Sequence, residues 1–237
     1  MKWWQRMRRV LRPRKTESQL VDAAIQDTLA RKSAEDVWVV EVGANDGRSM
    51  DMLYPFLKAH DVNAVLIEPV PYLFDMLRHT YREKRRFQFL NVALDTENGT
   101  RTLYYFDQPG AGQGLSESAW GKGLGSFNPD HYKISEDFRS EFLVRQKALQ
   151  TECITFDELV RRCKIPRDVD ILQIDVEGHD CALIRSIDPA HFRARHIIYE
   201  SRHCPPAEKD ACERFLVENG YEVAHVGGNS FARLAST

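Results

Sequence analysis

Carboxylate and imidazole side chains are concentrated in two short segments, "DVEGHD" at 175–180 and "YESRH" at 199–203. Such groups at neighbouring sites can remove a proton from a hydroxyl, because histidine titrates near neutral pH. We predict that His179 is the general base. The other candidate catalytic residues are Asp175, Glu177, Glu200 and His203. The structural alternative for His179 is to cap or pack the helix that follows it.

The same carboxylates and imidazoles could instead hold a divalent cation that acidifies a diol. No H-x-x-x-H or comparable ligand spacing accompanies them in the sequence. Spacings of that kind are the usual signature of a built metal centre. We therefore predict no metal site.

A second group of interest follows the apolar segment "VWVVEV", 37–42, which predicts a buried strand. The chain continues as "GANDG", with Gly43 and Gly47 at its ends. In parallel α/β sheets, ligands bind at the carboxyl ends of the strands, and a glycine turn there lets a ligand touch the main chain. Dinucleotide sites favour G-x-G-x-x-G, but Asn45 replaces the second glycine. Because Asp46 is a poor neighbour for a pyrophosphate, the loop predicts a ligand with a positive centre.

Two further strand ends complete this predicted pocket. Glu68 ends the second strand, where such folds place a carboxylate on ribose hydroxyls, although it could simply cap the helix that Pro71 begins. The third strand ends at 91–93, which could offer a backbone N–H and an apolar wall to a purine. A nucleoside carrying an amino acid fits these features, and S-adenosylmethionine meets that description. The candidate cofactor-binding residues are Glu41, Gly43, Ala44, Asn45, Asp46, Gly47, Glu68, Pro69, Asn91, Val92, Ala93 and Asp175.

Alternating strands and helices must position these groups. The pattern predicts strands at 37–42, 64–68, 87–92, 170–175 and 195–200, and helices at 49–60, 71–83, 155–164, 179–187 and 206–219. This alternation is typical of an α/β fold with a mostly parallel sheet and helices on both faces. "YEVAHV" and "SFARLA", joined by "GGN", predict an antiparallel hairpin at the end of the chain.

Three other segments lie outside this alternation. Residues 16–36 predict a polar amphipathic helix, and 100–106 predict an extended segment. Residues 107–129 contain six glycines without periodicity, which is typical of a binding loop, so we predict a lid. The packing stripe of the helix would be Leu20, Ala23, Ala24, Ile25 and Leu29, and the aromatics of the lid would be Trp120 and Phe127.

Length and charge limit the classes of function. A chain of 237 residues with 43% hydrophobic content favours one domain, predicted at 16–237. The net charge of −2 gives no reason to expect nucleic acid as a partner. Residues 1–15 hold 7 of the 33 basic residues and no acid, which leaves 26 basic against 35 acidic residues in the rest. Because its apolar residues fall on one face, this leader predicts a short helix on an anionic membrane surface, with a solvated arm or a docked helix as alternatives.

The five cysteines include no C-x-x-C pair and are odd in number, which favours a reducing compartment. The sequence has no run of 18 apolar residues and no secretory signal pattern. We therefore expect a cytoplasmic protein that touches the inner membrane face through residues 1–15 at most. The oligomeric state is not indicated by the sequence.

Six segments resemble the successive motifs of the FkbM-type methyltransferases, a branch of the class I S-adenosylmethionine-dependent enzymes. They are "EVGANDGRSMDML", "LIEPVP", "NVALD", "ITFDEL", "ILQIDVEGHD" and "IIYESRH". The resemblance covers 37–228 and implies a Rossmann-like, seven-stranded sheet with an antiparallel last strand. By position, it assigns 43–47 to the first motif, Glu68 to the ribose, 91–93 to the adenine and Asp175 to the methionine group.

The resemblance also implies methylation of a hydroxyl oxygen, often on a sugar or a polyketide. We therefore predict an O-methyltransferase acting on a sugar, a glycan or a related small metabolite. Two alternatives remain open at this point. One is an NAD-binding oxidoreductase or epimerase of the same fold, and the other is a non-catalytic module held at a membrane by its leader.

Overall fold

The computed structural model describes residues 15–106, 125–130 and 146–235. Its helices are α1 (Glu17–Leu29), α2 (Tyr54–Ala59), α3 (Pro71–Thr80), α4 (Phe156–Cys163), α5 (Asp180–Ser186) and α6 (Pro206–Glu218). Its strands are β1 (Trp38–Val42), β2 (Asn63–Ile67), β3 (Phe87–Leu90), β4 (Ala93–Leu94), β5 (Gly99–Phe106), β6 (Gly125–Ser126), β7 (Gln146–Ile154), β8 (Asp168–Ile174), β9 (Arg193–Glu200), β10 (Tyr221–Val226) and β11 (Asn229–Leu234). Apart from Lys15, the predicted leader lies outside the described residues.

Seven strands form the main sheet in the order β10-β11-β9-β8-β1-β2-β3. The strands from β9 to β3 pair in parallel, and β11 pairs antiparallel with both β9 and β10. The predicted fold class and the predicted terminal hairpin are confirmed. The strand order reverses at β1, which lies between β2 and β8, and a ligand crevice forms at such a switch point.

Successive side chains of the buried strands point to opposite faces of the sheet, and they are apolar on both faces. Three helices therefore cover each face. On one face, α1, α2 and α3 pack on a cluster that includes Val39, Leu66 and Ile171. On the other face, α4, α5 and α6 pack on a cluster that includes Val40 and Leu172. Odd-numbered β1 positions therefore point towards α1, α2 and α3.

A second sheet, in the order β4-β7-β5-β6, was not predicted from the sequence. Its strand β5 confirms the extended segment at 100–106. Its strand β6 pairs antiparallel with β5 and lies inside the predicted lid. The prediction of an irregular loop is therefore wrong at 125–126, while 107–124, including Trp120, lie outside the described residues.

Two predicted helices are shorter in the structure. The helix expected at 16–36 ends at Leu29, and a separate 3-10 turn covers 34–36. The predicted stripe is largely confirmed, because Ala24 is buried and Leu20, Ile25 and Leu29 pack against the core, whereas the fully buried Val21 and Thr28 were not predicted. The helix expected at 49–60 begins only at Tyr54. Met50 adopts a left-handed conformation with φ of 59°, which interrupts a helix at that point.

Local sequence accounts for three of the helix ends. The Thr155 side chain accepts a hydrogen bond from the Glu158 amide and caps α4. Pro71 occupies the first turn of α3, and Gly220 follows α6 with a φ of +86°. In the part of the chain that the structure describes, no helix is long and apolar enough to span a bilayer.

Candidate active site

The glycine loop after β1 lies at the switch point of the sheet. Gly43 and Gly47 have φ angles of +82° and +72°, which glycine adopts without strain. A Cβ on Gly43 would overlap the backbone oxygen of Asp175, and one on Gly47 would lie 2.6 Å from Leu77 Cδ1. The predicted tight turn is confirmed. The protein itself occupies the directions in which Cβ atoms would point, so the tight packing of the loop accounts for both glycines, and contact of the loop main chain with a ligand stays a prediction.

Asp46 shapes this loop with its side chain. Its Oδ1 accepts hydrogen bonds from the Arg48 and Ser49 amides at 2.9 and 2.7 Å, and its Oδ2 accepts one from Ser49 Oγ at 2.7 Å. The carboxylate is buried and folds the turn, whereas the sequence predicted that it faces a cationic ligand. Asn45, with φ of 51°, completes the turn by accepting a hydrogen bond from the Asp46 amide at 2.7 Å.

Glu68 joins the loop to the end of β2. Its Oε2 accepts a hydrogen bond from the Asn45 amide at 2.9 Å, and its Oε1 accepts one from the Val70 amide at 2.8 Å. The side chain is 4% exposed. Burial, with smaller contributions from Asp46 and Asp175, raises the pKa of this carboxyl to about 7. Since each carboxylate oxygen carries two lone pairs, ribose hydroxyls could still donate to it.

The end of β3 lies beside Glu68, as the sequence predicted. Asn91 donates its side-chain N–H to the backbone oxygens of Glu68 and Pro69 at 2.8 and 3.0 Å. Val92 and Ala93 are buried. The three residues therefore fix the tips of β2 and β3 together and provide an apolar floor at this edge of the sheet.

Glu41 does not line the crevice, although the sequence placed it among the cofactor-binding residues. Its side chain is 1% exposed because it points towards α1, α2 and α3. It accepts a hydrogen bond from Gln173 Nε2 at 3.1 Å. Burial, followed by the neighbouring Asp51, raises the pKa of Glu41 well above its usual range. Burial also raises the pKa of Asp51, a residue that was not singled out in the sequence.

Asp175 lies at the tip of β8, directly beside Gly43. Water reaches its side chain, yet the surrounding protein raises its pKa to about 7, with Glu177 and Glu200 adding to the shift. Asp175 therefore lies at the carboxyl edge of the sheet, where ligands bind in folds of this type. Its predicted place at the amino-acid end of a ligand stays a prediction.

Glu177, Glu200 and His203 form one group next to Asp175. His203 Nδ1 lies 2.9 Å from Glu200 Oε2 and 3.3 Å from Glu177 Oε2. The hydrogen bond with Glu177, and then the charge of Glu200, raise the pKa of His203 to about 8 against the opposing effect of burial. The ligand atoms of the three side chains lie within 4.8 Å of one another, so the group has the dimensions of a divalent-cation site as well.

His179, the predicted base, lies in a different group. Its Nε2 is 3.0 Å from Asp95 Oδ1, and its ring meets Phe127 edge-on with centroids 5.9 Å apart. Asp95 also accepts a hydrogen bond from Arg101 at 2.6 Å, and the Arg101 guanidinium lies 4.0 Å over the Phe127 ring. The His179 side chain does not cap α5. Asp95 stands in the motif "NVALD", but sequence spacing could not place it against a residue 84 positions away.

The turn between these groups is held by Asp180. Its two carboxylate oxygens accept hydrogen bonds from the Val176 and Gly178 amides at 3.4 and 3.2 Å. Glu177 has a φ of 56° in this turn. A left-handed conformation at a non-glycine residue costs energy and persists where the surroundings enforce it. The turn therefore fixes the direction of the Glu177 side chain.

The topology and the glycine loop define the fold of a class I methyltransferase. The sequence matches the methyltransferase FkbM domain family over residues 41–223, and the chain belongs to this family. The resemblance seen in the motifs is thereby confirmed. The chain therefore contains a methyltransferase domain of this family, and family membership implies S-adenosylmethionine as the methyl donor. This assignment favours methyl transfer over the NAD-binding and non-catalytic alternatives.

Solved structures with a similar chain path are distant in sequence. The methyltransferase FkbM of Methylobacillus flagellatus KT is 12% identical, with 85% of this chain and 44% of that chain covered and a TM-score of 0.48. The Podospora anserina methyltransferase PaMTH1, bound to SAH, is 11% identical, with 98% and 85% covered and a TM-score of 0.43. The chain thus spans less than half the length of the Methylobacillus structure. No curated protein sequence matches it.

The described residues fit the implied cofactor. Glu68 and Asp175 face the switch point from two sides, and both have a pKa near 7 because protein surrounds them. Such carboxyls gain most from a ligand that brings hydroxyl donors and positive charge. S-adenosylmethionine has ribose hydroxyls, an ammonium and a sulfonium. The crevice is thus suited to it in charge as well as in position.

Proposed function

We propose that the protein transfers the methyl group of S-adenosylmethionine to a hydroxyl oxygen of a sugar, a glycan or a related small metabolite. The observation that carries this proposal is the group of Glu177, Glu200 and His203 beside Asp175. An alcohol is a weak nucleophile, so its methylation is helped by a base that removes the hydroxyl proton. This group can supply such a base next to the cofactor crevice. The cofactor supplies a methyl group that is already activated.

Glu68 and Asp175 hold the cofactor in this proposal. Glu68 accepts hydrogen bonds from the ribose hydroxyls while its contacts with the Asn45 and Val70 amides keep it in place. Asp175 pairs with the ammonium, since the carboxylate of Asp46 is already used within the loop. Asn91, Val92 and Ala93 form the adenine end of the crevice.

His203 removes the hydroxyl proton. When its Nδ1–H is directed at Glu200 and Glu177, its Nε2 carries the lone pair that accepts the proton. The two carboxylates stabilise the imidazolium that forms, which is why the pKa of His203 is raised to about 8. The arrangement keeps Nε2 oriented and leaves the acceptor oxygen to be placed in line with the methyl group.

His179 is the rival base. Asp95 would orient its ring in the same manner, because Asp95 Oδ1 lies 3.0 Å from Nε2 and leaves Nδ1 as the accepting nitrogen. The Phe127 ring, already covered by Arg101, would then border the acceptor. We prefer His203 because its carboxylate partners also raise the pKa of Asp175 in the crevice, whereas no described contact links His179 to Asp175.

The test is methyl transfer from labelled S-adenosylmethionine to a panel of glycans and simple sugars, with the methylated atom located by mass spectrometry and NMR. We expect an oxygen-linked methyl group and a kcat that rises with pH through about 8. His203→Gln should lower kcat by about 100-fold or more and remove that pH dependence, while cofactor affinity is retained. Transfer to nitrogen or carbon would overturn the proposal.

His179→Gln is the matched variant for the base assignment. If it removes the pH dependence while His203→Gln does not, the base is His179 and the proton transfer belongs to the Asp95 group. If neither variant changes the pH profile of an active enzyme, no imidazole acts as base. Isothermal titration with the demethylated product serves as the folding and binding control for both variants.

A further inference from the structure

A second concave site lies behind the glycine loop, outside the crevice. It is a cleft of about 210 Å³ between the start of α2 and the end of α3. Its cationic side chains are Arg48, Lys58 and Arg82, and they are exposed to solvent. Tyr54, His79 and Glu83 also line it. No group in this cleft takes part in the proposed methyl transfer.

The charges in this cleft are not balanced by the residues that the structure describes. Among these, Glu83 is the only carboxylate that lines the cleft, so two arginines, one lysine and one glutamate give it a net charge of about +2. Among the described residues, no carboxylate forms a salt bridge with Arg48, Lys58 or Arg82. Like charges that share a cleft repel one another, and a bound anion would relieve that repulsion.

The cationic side chains are also held in place. Arg82 Nη1 and His79 Nε2 form a hydrogen bond of 2.9 Å. The guanidinium has only donors, so the imidazole nitrogen is the acceptor. Lys58 Nζ donates to the Thr80 backbone oxygen at 3.3 Å, and the Arg48 guanidinium lies 6.0 Å from the centre of the Tyr54 ring. An anion would therefore meet donors whose positions are partly fixed, which lowers the entropy cost of binding.

The surrounding surface extends the positive charge. The segment "RHTYREKRR", 78–86, holds five arginines and lysines and one glutamate. The part of the chain after residue 15 is acidic overall, with 26 basic against 35 acidic residues. A local positive field of this kind attracts anions and raises the rate at which they reach the cleft.

We infer that this cleft binds a phosphate group. A phosphate dianion matches the net charge of the cleft, and three separate cations can each donate to a different oxygen. The group could belong to a soluble phosphate ester or to the headgroup of an anionic lipid, and the chemistry of recognition is the same. The site is independent of the crevice and does not rest on the methyl-transfer proposal.

The test uses the full chain and three probes at matched ionic strength: inorganic phosphate, glucose 6-phosphate, and vesicles containing phosphatidic acid. Titration calorimetry measures the soluble probes, and vesicle sedimentation measures the third. We expect saturable binding of at least one probe. The double variant Lys58→Gln with Arg82→Gln should weaken that binding by about tenfold or more, because two charge-assisted hydrogen bonds are lost.

The matched control is Arg78→Gln with Arg85→Gln. Both residues are exposed and belong to the same basic segment, but neither lines the cleft. Binding that survives in this control and weakens in the cleft variant supports the inference, and the probe that binds identifies a soluble or a lipid source. Equal weakening in the two double variants would show diffuse attraction and overturn it. Lack of saturable binding by all three probes would overturn it too.

Discussion

The crevice and the basic cleft lie on opposite sides of one loop and carry opposite charge. The crevice contains Glu68 and Asp175, whose pKa values are both raised to about 7 because protein surrounds them. The cleft contains exposed Arg48, Lys58 and Arg82. Ligand binding in the crevice should therefore depend on pH near neutrality, whereas ligand binding in the cleft should depend mainly on salt concentration. The whole-chain net charge of −2 conceals both regions.

Asp46 connects the two regions. Its side chain accepts a hydrogen bond from the Arg48 amide, and its backbone oxygen accepts one from Thr80 Oγ1 at 2.8 Å. The loop that shapes the crevice therefore forms part of the wall of the cleft. Variants in the loop should damage both regions, and variants beyond it should affect one region only.

The largest effect is expected from Gly43→Ala. The new Cβ would overlap the Asp175 backbone oxygen, and alanine is strained at a φ of +82°. We expect a loss of more than about 3 kcal/mol in the free energy of unfolding, together with loss of cofactor binding. Denaturant titration and calorimetry measure both.

Gly99→Ala is the control for that substitution, since a Cβ there meets nothing within 4 Å. It should change the unfolding free energy by less than about 0.5 kcal/mol. A Gly43→Ala protein that is as stable as this control, and that binds cofactor normally, would show that the loop tolerates a side chain.

Glu68→Ala should weaken cofactor binding by about 30-fold or more. The substitution removes the acceptor for the ribose and leaves the Asn45 and Val70 amides without their partner, which costs about 1–3 kcal/mol for each amide that stays buried. His179→Ala is the comparison, because His179 contacts Asp95 and not the loop. It should leave cofactor affinity unchanged. An equal loss of affinity in both variants contradicts the placement of Glu68 at the ribose.

The sequence was informative where a local pattern has one structural solution. Gly43, Gly47 and Pro71 each favour a specific backbone geometry, and apolar strands that alternate with helices indicate a mostly parallel sheet. The strand tips could therefore be named from the sequence. Their side-chain contacts could not. Glu41 faces the core against Gln173, which is 132 residues further along the chain, and Asp46 accepts hydrogen bonds from the nearby Arg48 and Ser49 amides, a local turn that was not recognised in the sequence.

The second sheet and the Asp95 group show the same limit. Strand β4 has two residues, too few for a periodic pattern, and β7 pairs with β5 across a long stretch of sequence. The two carboxylate and imidazole groups were predicted as one cluster. The structure separates His179 from His203 because the turn at Glu177 and Gly178 directs them to different neighbours.

The next largest effect is the change of protein stability and cofactor affinity with pH. Both raised carboxyl pKa values mean that the folded protein without cofactor binds protons more tightly than the unfolded chain. The contribution of these two carboxyls to stability is therefore full at low pH and is lost as pH rises through about 7. For buried Glu68 alone, the loss between about pH 6 and about pH 8 is about 1 kcal/mol. Cofactor affinity should change in the opposite direction and rise about tenfold from about pH 6 to about pH 7.5, as Asp175 ionises opposite the ammonium.

Asp175→Asn sharpens this measurement. The variant should bind cofactor more weakly at pH 7.5, because it lacks the charge that faces the ammonium. It should also lose most of the pH dependence of cofactor affinity, and the remaining part would come from Glu68. Calorimetry at three pH values, in buffers with different ionisation enthalpies, would also count the protons released on binding. Affinity that is flat with pH in the wild-type protein would mean that the crevice carboxyls do not meet the cationic end of the cofactor.

The smallest effect is expected from Glu83→Gln, which should strengthen ligand binding where the other variants weaken it. In the described part of the chain, Glu83 is the only carboxylate that lines the basic cleft, so its removal raises the positive charge that a phosphate meets. Because the cleft is open to water, the interaction between exposed charges is screened, and phosphate affinity should increase by only about twofold to threefold. The increase should vanish at about 1 M salt, where the screening length is about 3 Å. Cofactor affinity should stay unchanged in the same protein, since the loop separates the two regions. A decrease in phosphate affinity would mean that Glu83 positions the cations of the cleft, and a matching change in cofactor affinity would show that the two regions are coupled through Asp46.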